Sequence, residues 1–252
     1  MHKLKRKELF INEFKGKKFI ITKEFLEFAL THNINEATTR RDLKELENEG
    51  VITLSFGGIT VNLNDESELS TDNKLEINKV KKELIAKVAN DLLNDLDIIF
   101  CGAGSTVEIF VKHITKKIRT LVTNSLAVFE AARNNSHVID VVLIGGLFRE
   151  KSKVFFSRTA ADYFNECKLD KVFFSCFYFD NTGEVFDDFA PEVDLISSAL
   201  KNTHESILLA DSSKYKSVGL NRMTNINKIT KLVTNKDIDK EFLNKFNNVI
   251  VD

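Results

Sequence analysis

The sequence predicts an α/β chain in two parts, a small helical unit closed by a β-hairpin and a larger open, mainly parallel sheet flanked by helices. Three observations carry that expectation. Short helical patterns run from Lys3 towards Val61 and end at the Gly57-Gly58 pair. A polar stretch then follows, Asn62-Leu63-Asn64-Asp65-Glu66-Ser67-Glu68-Leu69-Ser70-Thr71-Asp72-Asn73, and reads as a linker. From Lys79 onward, helical patterns alternate with compact β-branched runs, the rhythm of βαβ units. The expected boundaries are 1–61, a linker over 62–78, and 79–252.

In the first part, Thr22–Leu30 is expected as a helix with Thr22 at its N-cap. Asn33-Ile34-Asn35 makes a short turn, and Asn35 caps a second helix that runs to about Glu49 and stops at Gly50. At 100° per residue, Thr39, Leu43 and Leu46 fall within about 60° of one another and form the buried face. Ala37, Arg40, Arg41 and Lys44 cluster on the opposite side, with Glu45 and Glu47 flanking them and tempering attraction to phosphate. A small residue and three outward cations near the start of a second helix suit entry into the major groove of double-stranded DNA. Val51–Leu54 and Ile59–Val61 bracket Ser55-Phe56-Gly57-Gly58, which suits a hairpin wing. The whole reads as a winged helix-turn-helix. On geometry alone it fits a DNA reader or a protein-docking module with a solvated Arg-Arg face.

The second part opens with an amphipathic helix whose apolar residues Val80, Leu84, Val88 and Leu92 are spaced by four. Strands are expected over Asp97–Cys101, Ile118–Thr123, Val138–Ile144, Lys171–Phe177, Ser206–Ala210 and Lys228–Val233, with helices near 105–115, 125–134, 159–167 and 190–203. Ligands of such sheets sit beyond the carboxyl ends of the strands. There lies Gly102-Ala103-Gly104-Ser105-Thr106, where glycines turn the backbone tightly, a helix N-terminus faces outward, and two hydroxyls can donate. Such a turn either cradles an anion or is purely structural. It lacks the lysine of a Walker A loop and the third glycine of a dinucleotide fingerprint, so neither ATP nor NAD is expected and no cofactor is assigned. Thr123-Asn124-Ser125, Gly145-Gly146 with Arg149, and Asp211-Ser212-Ser213-Lys214 close further strands. Each alone reads as a turn, a helix cap or a surface ion pair; together they suit a phosphorylated polyol.

Bulk composition narrows the class. With 43% hydrophobic and 29% charged residues, the chain can bury a real core. No stretch approaches the roughly 18 apolar residues of a membrane span, and the N-terminus lacks the apolar run of a signal peptide. Cys101, Cys167 and Cys176 have no paired spacing, which argues against disulfides and a metal site and suits the reducing cytoplasm. Residues 1–60 carry 11 Lys/Arg against 9 Asp/Glu, so they hold +2 of a net −1 and leave −3 to the rest. Charge total therefore says little about nucleic acid, and placement has to carry the argument.

The run Glu36-Ala37-Thr38-Thr39-Arg40-Arg41-Asp42-Leu43, followed by Leu46, Gly50 and Gly57-Gly58, resembles the signature of the DeoR family of bacterial repressors. So do Val122-Thr123-Asn124-Ser125-Leu126, Ile144-Gly145-Gly146 with Arg149, and Leu209-Ala210-Asp211-Ser212-Ser213-Lys214-Tyr215, in the family's order along nearly the whole chain. The Gly102-Ala103-Gly104 form is most similar to the family's repressors of lactose and tagatose-phosphate catabolism. The resemblance implies a sensor domain related to ribose-5-phosphate isomerase, a phosphorylated sugar as effector, and an operator as partner. It implies Thr38, Arg40 and Arg41 as the main DNA contacts, with the wing turn at Gly57 and Gly58. Gly102, Gly104, Ser105, Thr106, Thr123, Asn124, Arg149 and Lys214 would line the pocket, with Ser125, Gly145 and Gly146 in the same loops. Glu192 falls where the family keeps a glutamate, to bind sugar hydroxyls or cap the helix that follows. A symmetric homo-oligomer is expected, since paired half-sites multiply affinity through effective concentration.

Departures from the pattern matter. Asn35 stands for a serine, Thr39 for an isoleucine, Leu54 for a wing arginine and Phe56 for the wing histidine. One lost cationic contact lowers the salt slope by about one unit. Ser157 and Arg158 replace a Val-Gly-like segment, and Phe177-Tyr178-Phe179-Asp180 replaces a glycine-containing run, which narrows, shifts or closes the pocket. A regulator with an altered or lost effector thus stays open. The rival class is a sugar-phosphate isomerase, for which Asp180, Asp187, Asp188, Glu192 and Asp211 are the candidate bases; the helix-turn-helix has no use in such an enzyme, and no catalytic residue is assigned.

Overall fold

A computed structural model describes residues 3–14, 17, 19–48, 51–55, 57–61, 71–215 and 221–252. The expected helix stop at Glu49 and Gly50, the wing residue Phe56 and linker positions 62–70 lie outside the described residues. Two compact units separate, Met1–Asn73 and Lys74–Asp252.

The smaller unit runs α1 (Lys3–Phe14), β1 (Phe19–Ile21), α2 (Thr22–Thr31), α3 (Glu36–Asn48), β2 (Ile52–Ser55) and β3 (Gly58–Val61). Phe10 and Phe14 of α1 pack against Phe25 of α2 at ring distances of 4.9 and 4.8 Å, over buried Leu43 and Leu46 of α3. Each fully buried aromatic of this kind contributes about 1.5–3 kcal/mol. The β2–β3 hairpin is antiparallel, and β1 adds an unexpected third strand in the order β1-β3-β2. That strand moves the cap of α2. Ile21 pairs with Gly58 and occupies the N-cap position, while Thr22, expected as the cap, is the first helical residue and donates its N–H to the Gly57 carbonyl.

In the larger unit, α4 (Thr71–Glu76) crosses the unit boundary and makes the end of the expected linker helical. There follow α5 (Lys79–Asn90), β4 (Ile98–Cys101), α6 (Ser105–Lys112), β5 (Ile118–Thr123), α7 (Leu126–Arg133) and β6 (Val138–Leu143). Next come β7 (Leu147–Arg149), β8 (Val154–Phe156), a 3-10 stretch at Ala160–Asn165, β9 (Leu169–Phe174), β10 (Tyr178–Phe179), β11 (Glu184–Asp187) and α8 (Ala190–Lys201). The chain ends with β12 (Thr203–Leu209), β13 (Asn221–Asn225), β14 (Lys231–Thr234), α9 (Lys240–Lys245) and β15 (Val249–Val251).

Seven of these strands form one sheet in the order β15-β14-β12-β9-β4-β5-β6, and every neighbouring pair is parallel. The antiparallel pieces stand apart as the β7–β8 hairpin and a β10-β11-β13 sheet. Both faces of the large sheet are covered, which is why its strands read as apolar runs without alternation. Phe100 and Phe174 belong to one core with Phe164 and Ile196; Phe173 belongs to the other with Ile85, Phe110 and Val128.

Three expectations change. The buried stripe of α5 is Lys82, Ile85, Ala86 and Ala89, while Val80 is 71% exposed and Leu84 37%. The strand expected to reach Phe177 stops at Phe174, because Ser175 turns out of the sheet and Phe177 hydrogen-bonds to Phe186 instead. The strand expected from Lys228 begins at Lys231, since Asn225 caps a 3-10 turn over Ile226–Lys228.

Strand order reverses once. The chain moves from β4 through β5 to β6 on one side, then returns to place β9 on the other side of β4. In open sheets of this kind ligands bind at such a switch point, here the carboxyl ends of β4 and β9.

Candidate functional site

The outward face of α3 is built by its cap and its core contacts. Asn35 Oδ1 accepts from the Thr38 N–H at 2.9 Å, and Thr39 Oγ1 donates to the Asn35 carbonyl at 3.0 Å, which buries Thr39 completely. That orientation leaves Ala37, Arg40, Arg41 and Lys44 exposed and Thr38 half-buried. Arg40 is held by Glu36 one turn back, Nε to Oε1 at 2.8 Å. The flanking acids have structural tasks that the spacing did not disclose. Glu47 accepts the Leu54 N–H at 2.8 Å, and Glu45 pairs with Lys3 at 2.8 Å. At the hairpin, Gly57 has φ +82°, and a Cβ on Gly58 would meet the Phe19 ring. Glycine is required there by conformation and by close approach respectively.

At the switch point, Gly102 lies against Ile196, and Gly104, with φ +133°, opens α6. Ser105 and Thr106 are buried, and Ser105 Oγ accepts from Lys82 Nζ at 2.9 Å. Lys82 is only 3% exposed and also bonds to the Lys74 carbonyl. This buried cation behind the Gly-rich turn was missed. Its signal was the helical spacing of Lys82 with Ile85, Ala86 and Ala89, a quieter stripe than the Val/Leu one.

The β5 loop divides its tasks. Thr123 Oγ1 accepts from the Ser125 N–H at 3.1 Å, and Ser125 caps α7, so both hold the turn. Asn124 Nδ2 reaches Glu192 Oε2 at 2.8 Å, and Glu192 Oε1 accepts the Ala103 N–H at 3.3 Å. One carboxyl near the start of α8 thereby joins the ends of β4 and β5. Burial, reinforced by nearby Asp187, pushes the Glu192 carboxyl up to about 7 against the pull of its Asn124 and Ala103 bonds. Burial likewise lifts Asp187 to about 6, while the Phe189 N–H and Lys74 hold it back. Among the described residues, Asn124 Oδ1 and Asp211 Oδ2 are buried acceptors without hydrogen-bond partners.

The remaining candidates sit around this centre. Gly145 and Gly146 are exposed, with Gly146 at φ +148° under the Phe156 carbonyl. Arg149 lies 4.7 Å over the Phe189 ring and donates to Ser152 Oγ at 3.2 Å. Lys214 ends a 3-10 turn capped by Asp211 and stands 5.6 Å from the Phe177 ring, which Lys74 approaches to 4.2 Å. Of the aromatic run, Phe177 is the ring that both cations approach. Phe179 is buried among Tyr215 and Phe242, and Asp180 closes a turn through Thr182 and Glu184. Among the described residues no His, Cys, Asp and Glu cluster could hold a metal ion, and no helix is long and apolar enough to cross a membrane.

The DeoR-like helix-turn-helix domain matches residues 6–65, and the DeoR C-terminal sensor domain matches residues 77–236. The chain belongs to the DeoR family. It is 32% identical to the lactose phosphotransferase system repressor of Staphylococcus aureus (strain NCTC 8325 / PS 47) over 204 residues, 80% of each chain. It is also 32% identical to the repressor of that name in Streptococcus mutans serotype c, over 86% of this chain and 88% of the other. Among solved structures it is similar to ribose 5-phosphate isomerase A from Neisseria gonorrhoeae, with 19% identity, TM-score 0.40, and 54% and 53% of the two chains covered. Translation factor eIF2B beta from Chaetomium thermophilum gives 15% identity, TM-score 0.46, and 64% and 50% coverage. This DeoR-family chain is a DNA-binding regulator of transcription and not an enzyme, which removes the isomerase alternative.

Proposed function

We propose that this regulator represses genes of sugar catabolism in the cytoplasm and is controlled by a phosphorylated sugar bound at the β4–β9 switch point. Ala37, Thr38, Arg40, Arg41 and Lys44 read the major groove, and the Gly57-Gly58 turn lets the hairpin approach the backbone. In the sensor, the amides of Gly102–Thr106 and the Lys82 ammonium hold the phosphate, with Arg149 and Lys214 at the rim. Asn124, Asp211 and Glu192 take the hydroxyl end.

The observation that carries the sensor reading is a pair of buried acceptors, Asn124 Oδ1 and Asp211 Oδ2, which have no partner among the described residues and lie at the same sheet edge as buried Lys82. Unsatisfied acceptors are costly to bury, by about 1–3 kcal/mol each, and a polyol phosphate brings both the missing donors and the anion. Effector binding biases the regulator between DNA-competent and incompetent states by a coupling on the order of 1–3 kcal/mol.

The test is fluorescence anisotropy of the protein with DNA from upstream of its own gene, at several salt concentrations and with a panel of sugar phosphates. Specific binding that weakens with salt and shifts with one sugar phosphate supports the whole reading. Specific binding that no sugar phosphate moves keeps the operator and removes the effector. Equal affinity for scrambled and neighbouring-gene DNA overturns the operator assignment.

A further inference from the structure

We infer that Asn78 is the positioning residue that ties occupancy of the sensor site to the chain arriving from the DNA-binding unit. The inference deepens the effector reading and rests on it. Asn78 stands at the corner between α4, which crosses the unit boundary, and α5, which carries buried Lys82. An asparagine at a helix N-cap ordinarily accepts from the N–H groups of the first turn. Asn78 makes no such bond and holds a left-handed backbone, φ 54° and ψ 30°. Its amide turns to the loop after β12 instead, where Nδ2 donates to Ser213 Oγ at 2.9 Å and to Asp211 Oδ1 at 3.3 Å. A residue other than glycine is kept in that conformation by its surroundings, and such positions gather at switch segments.

Asp211 is 1% exposed and loads its two oxygens unequally. Oδ1 accepts from three donors, the Ser213 N–H at 3.1 Å, the Ser213 hydroxyl and the Asn78 amide, although one carboxylate oxygen offers two lone pairs. Oδ2 is buried with no hydrogen-bond partner among the described residues. A ligand hydroxyl that donates to Oδ2 draws the carboxylate away from its crowded side, and the longest of the three bonds, the one from Asn78, is the first to go. The phosphate acts in the same direction. Lys82 Nζ divides its bonds between Ser105 Oγ at the Gly-rich turn and the Lys74 carbonyl in α4, so an anion at the turn competes with α4 for one ammonium.

The surroundings of the corner are braced independently. Lys81 Nζ reaches Ser212 Oγ at 2.7 Å, and Asn235 joins the Lys81 carbonyl at 3.0 Å to the Ser212 N–H at 3.2 Å. The first turn of α5 and the Asp211 loop therefore stay together while the corner is released. The empty site holds the α4–α5 corner, and the occupied site lets it go.

Asn78→Gly tests this in the full chain, because glycine adopts the left-handed conformation freely and the substitution removes only the side-chain amide. Asn78→Asp also tolerates that conformation, sets a second carboxylate against Asp211, and should act alike. Both variants are expected to keep the natural circular dichroism and, without ligand, to show faster amide hydrogen exchange over residues 71–82. The ligand probes are pentose 5-phosphates and hexose 6-phosphates. In fluorescence anisotropy with DNA from upstream of the gene, each unliganded variant should match the natural chain saturated with the sugar phosphate that moves it, and adding that sugar phosphate should shift it no further. Coupling is reciprocal, so calorimetry should find the sugar phosphate bound about fivefold tighter or more by the variants, where it no longer breaks the Asn78 bonds. A merely structural asparagine leaves that affinity unchanged or weakens it. Variants that still respond in full, or that bind the sugar phosphate no tighter, overturn the role of Asn78 and leave the effector reading standing. An effect confined to Asn78→Gly also overturns it, since a freer backbone is then the cause. A natural chain that binds no member of the panel removes the effector itself, and this inference with it.

Discussion

Arg6 of α1 grips Asp42 of α3 with two prongs, Nε to Oδ2 at 2.6 Å and Nη2 to Oδ1 at 3.1 Å, and both side chains are nearly withdrawn from solvent. The acid therefore points away from the DNA-facing side of its own Thr-Thr-Arg-Arg-Asp run. Breaking one member of a buried pair strands the other charge, at about 3–5 kcal/mol. Asp42→Ala is expected to lower the unfolding free energy of the smaller unit by that order in urea titrations. If its stability held and DNA affinity alone fell, Asp42 would be a contact after all.

Arg40 and Arg41 carry the opposite expectation. Both are exposed, and among the described residues Arg40 is bonded only to the exposed Glu36, so their loss removes little from the fold. Arg40→Ala with Arg41→Ala should leave the melting profile unchanged and reduce the slope of log affinity against log salt by about two units. An unchanged slope would move the phosphate contacts elsewhere.

Glu192 predicts a pH dependence with a definite sign. Its carboxyl is held up at about 7 in the fold, above its ordinary value near 4.5, so the native chain keeps a proton that the unfolded chain releases. Stability is thus full below about pH 4.5, declines as pH rises, and levels off above about 7. Asp187 adds a slope of the same sign up to about pH 6. Denaturant titrations at pH 5 and pH 8 should differ less for Glu192→Gln than for the natural chain, by up to roughly 3 kcal/mol. Identical pH profiles would mean that the carboxyl titrates normally.

Lys82 and Lys214 separate the inside of the sensor from its rim. Lys82→Met keeps the length of the buried stem and removes its charge beside Ser105, and should abolish the sugar-phosphate response at constant DNA affinity. Lys214→Ala, at a half-buried position, should weaken the response several-fold. Calorimetry with inorganic phosphate and a sugar phosphate would order the two; an unaltered response in Lys82→Met would take the phosphate away from the Gly102–Thr106 turn.

Much of this architecture could be read from residues alone, for reasons that also explain the failures. The six long apolar runs marked six of the seven strands of the large sheet, because sheets covered on both faces need little polar alternation. Strands β1 and β10, of three and two residues, are too short for periodicity to register, and β13 is polar apart from Met223. Val80 and Leu84 outshouted Ile85, Ala86 and Ala89, since apolarity counts residues while packing selects the face that fits. Asn124 and Ser105 were recognisable as neighbours of strand ends, and Glu192 only through the family resemblance. That Asn124 would reach α8 while Thr123 and Ser125 only held the turn depended on a helix nearly seventy residues away. Lys82 was invisible for the same reason, its partner lying 23 residues on.

The parallel order of the large sheet has a consequence for how the chain comes into being. Its central ladder joins distant stretches, Phe100 of β4 pairing with Val172 of β9, 72 residues further along. Pairings of that span are slow to close, because loop entropy must be surrendered before contacts reward it. The smaller unit, made of near neighbours and synthesised first, acquires its shape while the sheet is still incomplete. During each round of translation a DNA-reading surface is therefore finished before the sensor domain that follows it exists.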